Sequence, residues 1–180
     1  MSLARRTVLG VVAGALSAGC STLNEGDPGT GATTTEPVDQ PACDPADVTR
    51  PPVASGTNIE GRNYPQKPEP LSDQSILEYL DDFETAFAWN RVLQSAANVT
   101  SLNVDNLDGF TSDETGDGYL ASGGIRVSYS PEDGEPTDRE YVANYFVSPG
   151  PVYRYESSTE PTTPEPGSQE TLLVQCGAGT

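Results

Sequence analysis

Residues 72–94 read SDQSILEYLDDFETAFAWNRVLQ. Apolar side chains at Ile76, Leu77, Leu80, Phe83 and Phe87 recur at three- and four-residue steps, and Tyr79, Ala86 and Leu93 widen the stripe. That period belongs to an amphipathic α-helix with one face on a core. Pro70-Leu71-Ser72 is a start signal with Ser72 as N-cap, and Ser75 to Glu78 offers a second capping box. Glu78, Asp81, Asp82 and Thr85 fall on the other side. Carboxylates so placed read as a solvated helix face, not as an acid/base pair.

After this helix the apolar period changes from 3.6 to 2. Strands are expected at residues 99–104, 119–129, 140–147, 152–156 and 171–176. Ile125, Val127 and Tyr129 share one face, as do Tyr141, Ala143, Tyr145 and Val147. Gly123-Gly124 reads as a bulge or bend. Asp108-Gly109, Asp133-Gly134 and Pro149-Gly150 mark turns. Residues 158–169, STEPTTPEPGSQ, read as a mobile loop. One long helix followed by antiparallel strands predicts an α+β fold, the helix lying across a curved sheet of about four to five strands. In element order this resembles cystatin-like and NTF2-like domains, a likeness that carries no functional residues across. A pocket between helix and sheet would be lined by Tyr79, Phe83, Trp89 and Tyr145.

Ahead of the helix the chain changes character. Proline at 45, 51, 52, 65, 68 and 70 breaks any regular element over residues 44–70. Residues 21–42 are Gly, Thr, Pro and acid without apolar period, so they cannot build a core and read as a disordered tether. Residues 1–20, MSLARRTVLGVVAGALSAGC, hold Arg5-Arg6, then a nine-residue apolar run at 8–16, then small residues before Cys20. The run has signal-peptide length, short of the roughly 20 residues that span a bilayer. Arg5-Arg6 with Thr7-Val8-Leu9 resembles a twin-arginine export signal, and LSAGC at 16–20 resembles a lipoprotein box. That resemblance implies cleavage before Cys20, lipid on its sulfur and a site on the outer face of the cell membrane. A plain Sec signal cleaved near Ala18 is the alternative. The organisation expected is a signal at 1–19, a lipidated tether at 20–42 and a domain at 43–180.

The chain carries 27 acidic residues against nine basic ones and no histidine. Loss of Arg5 and Arg6 leaves seven basic residues, a net charge of −20, with Lys67 the only lysine. The acids are scattered, which describes an acidic surface all round rather than an interaction tail. With much Thr and little Phe or Met, this composition resembles a haloarchaeal protein. At 1 M salt the Debye length is about 3 Å, so such self-repulsion is screened. Nucleic acid is excluded as a partner, because binding it needs clustered positive charge.

If Cys20 carries lipid, Cys43 and Cys176 remain as one pair outside the membrane, where disulfides persist. Without histidine, Ser-His-Asp and Cys-His chemistry is impossible. No dinucleotide or phosphate-loop motif occurs. No cofactor is expected. Asp113, Thr115, Asp117 and Gly118 match the first half of a calcium loop, but Gly124 stands where the bidentate Glu belongs. Residues 105–118 therefore read as a hairpin loop, with Asp113 and Asp117 the nearest approach to metal ligands. Asn98-Val99-Thr100 is a single N-glycosylation sequon. Together these point to a membrane-anchored surface lipoprotein, a non-catalytic binding or structural module rather than an enzyme. The alternative is a small-ligand binder or enzyme with a helix–sheet pocket. The sequence names no protein or small-molecule partner.

Overall fold

The computed structural model describes residues 43–54 and 58–177. The expected signal, Cys20 and tether lie outside the described residues. Helix α1 runs Asp73–Ser95. The Ser72 hydroxyl accepts from the Ser75 amide, and the Ser75 hydroxyl accepts from the Ser72 amide. This reciprocal pair satisfies two donors that the first turn leaves free.

Six strands follow: β1 Val99–Asn106, β2 Thr111–Thr115, β3 Gly118–Pro131, β4 Thr137–Val147, β5 Pro151–Ser157 and β6 Leu172–Cys176. They form one antiparallel sheet in the order β1-β3-β4-β5-β6. Strand β2 pairs with the first half of β3, beyond the end of β1. The fold is α+β, one helix packed against a curled sheet. Strand β2 is a correction to the expected loop at 105–118. Its sequence, TSDET, lacks apolar alternation, and backbone pairing with β3 forms it without a buried face.

The inward faces are as the period of two predicts. Ile125, Val127, Tyr141, Ala143, Tyr145 and Val147 are buried against Ile76, Leu80, Phe83 and Phe87 of α1. No bulge interrupts the β3–β4 pairing at Gly123-Gly124. The register runs unbroken from Tyr119↔Val147 to Tyr129↔Thr137 through Gly123↔Ala143. Glycine is needed because the Phe110 ring lies over it: a Cβ at Gly123 would stand 3.0 Å from Phe110 Cδ1. The stretch expected as a mobile loop is tied to the sheet, where the Thr162 amide donates to Asn144 Oδ1 at 2.7 Å and Pro164 is buried.

The proline-rich approach straps the far end of α1. Buried Asn90 donates to the Arg62 carbonyl and accepts from the Arg62 amide, at 2.7 and 2.9 Å. A disulfide joins Cys43 to Cys176 at the end of β6.

Candidate functional site

The aromatic residues expected to line a pocket divide into two places. Tyr79, Phe83 and Tyr145 are buried and touch: ring centroids are 5.5 Å apart for Tyr79–Phe83 and 6.1 Å for Phe83–Tyr145. The Tyr79 hydroxyl donates to buried Gln175 at 2.7 Å. Trp89 stands apart, on the strap side of α1. Its indole donates to the Glu60 carbonyl at 2.9 Å, and the Arg62 guanidinium lies 4.1 Å over its ring.

Between α1 and the sheet lies a charged group that the sequence reading did not single out. Glu84 is fully buried and accepts four hydrogen bonds. Arg154 donates to it through Nε and Nη2, both at 2.8 Å, as a two-pronged fork. The Tyr141 hydroxyl donates at 2.6 Å, and the Tyr145 hydroxyl donates to the second oxygen. Helix α1 supplies the carboxylate, β5 the guanidinium and β4 both phenols. The Arg154 guanidinium also lies 4.1 Å over the Phe87 ring.

A carboxylate so surrounded has no lone pair left with which to take a proton from a substrate. Burial opposes charge on Arg154, but the charge and hydrogen bonds of Glu84 hold it well above the ordinary arginine value. Tyr141 and Tyr145 are raised well above the ordinary phenol, first by burial and then by the Glu84 charge. Among the described residues no buried side-chain nitrogen or oxygen lacks a hydrogen-bond partner.

Glu156 carries the network outward. It accepts from Arg91 at 2.5 Å, from Arg139, and from Arg154 at 3.3 Å. Burial would raise its carboxyl, but the Arg91 bond and the charges of Arg91, Arg154 and Arg139 bring it below the ordinary carboxylate value.

Asp113 and Asp117 do not come together. Asp113 sits on β2 opposite Leu120, whereas Asp117 is in the β2–β3 turn and lines another cleft with Glu69 and Glu114. Among the described residues no three acidic or cysteine side chains are grouped for a metal ion. Asn98 occupies the exposed turn from α1 to β1 at φ +48°, a conformation asparagine tolerates.

The signal for the missed cluster was present. Glu84 lies four residues after Leu80 and three before Phe87, within the apolar stripe. Arg154 shares its strand parity with buried Val152. An opposite charge on each of two inward faces is the pattern of a buried pair. Comparison of the chain with family models, curated proteins and solved structures gives no match.

Proposed function

We propose that the chain is an exported surface lipoprotein, anchored by lipid on Cys20, whose folded domain is a non-catalytic binding or structural module. The observation that carries this is the allocation of its three cysteines. Cys43 and Cys176 are bonded to each other, which leaves Cys20 as the one cysteine outside the disulfide. It follows Arg5-Arg6, an apolar run and LSAGC, the order of an export signal ending in a lipid-acceptor site. A tether of 22 residues would hold the domain off the headgroups by roughly 25 Å.

Two features favour a non-catalytic module. Among the described residues the most deeply buried carboxylate, Glu84, is saturated by four donors. The chain also lacks histidine as a base near neutral pH. A salt-rich exterior suits the scattered surface carboxylates, whose repulsion salt would screen.

The test is export of the full chain and its Cys20→Ser variant, followed by partition between detergent and aqueous phases. The wild type should enter the detergent phase and carry a lipid mass on the Cys20 peptide. The variant should move to the aqueous phase. A variant that stays with membranes at wild-type level overturns the anchor.

A further inference from the structure

We propose that a pocket between the last turn of α1 and the β3–β4 hairpin binds a small organic anion, a carboxylate on a short apolar body. The pocket holds about 250 Å³. Arg91 and Arg139 form its charged wall, Val92 and Val127 its apolar surface, and Tyr129 and Thr137 add hydroxyls. No acidic side chain lines it, in a chain with three acids for every base.

The strand pattern keeps acid away. Asp138 lies between Thr137 and Arg139 in sequence, so it faces the other side of the sheet, where the Ser128 hydroxyl donates to it at 2.8 Å. Arg91 and Arg139 each give one terminal nitrogen to Glu156. Their remaining N–H groups have no hydrogen-bond partner among the described residues, and neither do the Tyr129 and Thr137 hydroxyls. A guanidinium offers five N–H donors in a planar fork that matches a carboxylate.

Charge also favours an anion. Arg91, Arg139 and Arg154 converge on Glu84 and Glu156, leaving one positive charge in excess. The C-terminal end of α1 opposes it with about half a negative charge. Ser95, in that last turn, already donates its hydroxyl to the Val92 carbonyl at 3.3 Å. The guanidinium excess is the larger of the two. The volume admits on the order of ten non-hydrogen atoms, which limits the ligand to a carboxylate with a single ring or short chain.

This assignment rests on the domain being a binding module and not on the anchor. The two fail separately, since membrane partition reads Cys20 and a titration reads the pocket. The full chain carrying Cys20→Ser is titrated calorimetrically with benzoate, benzyl alcohol and benzylamine at constant ionic strength. Benzoate should bind at one saturable site, at least about tenfold more tightly than either isostere. In the same background Arg139→Gln, at an exposed side chain, should weaken benzoate about tenfold. Arg126→Gln, whose partner is Glu140, should leave it unchanged. Absence of saturable benzoate binding, equal binding of benzyl alcohol, or undiminished affinity in Arg139→Gln overturns the site. The isostere series stands even if the arginine variant fails to fold.

Discussion

Lys67 and Arg154 are both nearly inaccessible, at 3% and 2% exposure, and the fold neutralises them by different means. Around Arg154 the partner is a full charge. Glu84 takes two of its hydrogen bonds, and two tyrosines complete the carboxylate. Around Lys67 the partners are dipoles. Its ammonium donates to the carbonyls of Ser148, Pro149 and Gly150, at 2.9, 2.6 and 2.6 Å, and so ties the strap to the β4–β5 turn. Residue choice follows the partner. A planar fork suits a carboxylate, and a compact ammonium with three donors suits three converging carbonyls. The electrostatics separate as well. Arg154 is held well above the ordinary arginine value. Burial draws Lys67 below the ordinary lysine value, against a smaller opposing effect of Glu69. A charge held by a charge cannot be removed singly, whereas a charge held by dipoles can, because the carbonyls are neutral without it.

The largest expected effect tests the charged half. Glu84→Gln keeps the shape and removes the nearer counter-charge, leaving buried Arg154 only its 3.3 Å contact with Glu156. We expect a loss of about 3–5 kcal/mol in denaturant unfolding with the disulfide intact. Replacing both, as Glu84→Leu with Arg154→Met, should recover part of it, because the apolar pair asks for no solvation while the buried Tyr141 and Tyr145 hydroxyls lose their acceptor. If the double variant is no better than the single one, Glu84 acts through packing and not through its pairing with Arg154.

The dipolar half should be milder. Lys67→Met keeps most of the apolar stem and deletes the ammonium. The carbonyls of Pro149 and Gly150 belong to exposed and half-exposed residues and can turn to water, while that of buried Ser148 cannot. A loss of about 1–2 kcal/mol is expected in the same assay. A loss equal to that of Glu84→Gln would erase the distinction between the two sites.

The two halves were unequally legible in the sequence. Helix α1 and five strands could be read because each buries one face, and burial imposes a period. Strand β2 has no buried face to declare, so TSDET looked like a loop. Glu84 lies within the apolar stripe of α1, but residues 152–156 declare no inward face by themselves, and it is the burial of Val152 that puts Arg154 on the core side. Lys67 gave no such signal. Its partners are backbone carbonyls 81–83 residues away, and a backbone carbonyl carries no residue identity. Gly123 shows the same limit. A glycine in a strand signals either a bulge or a close neighbour, and the choice was made by Phe110, placed by a turn that the period does not reach.

The smallest effect is a pH dependence, and it gives the two halves opposite signs. Tyr64, Tyr79, Tyr141 and Tyr145 are raised above the ordinary value of 10.0, chiefly by burial, with the Glu84 charge second for Tyr141 and Tyr145. Above that pH the unfolded chain loses protons that the folded chain keeps. The unfolded state then binds fewer protons, so stability falls as pH climbs past 10.0. Lys67 behaves in reverse. Its folded value lies below 10.5, so between the two the folded chain has released a proton that the unfolded chain holds. Stability from this group rises with pH in that window and levels off above it. Four phenols outweigh one amine, so wild-type stability should decline beyond 10.0, with tyrosinate absorbance appearing together with unfolding. Lys67→Met lacks the rising contribution. The stability gap between wild type and Lys67→Met should therefore widen as pH approaches 10.5, measured by denaturant midpoints across the alkaline range. A gap that stays constant or narrows would mean that the three carbonyls hold the ammonium as firmly as Glu84 holds Arg154.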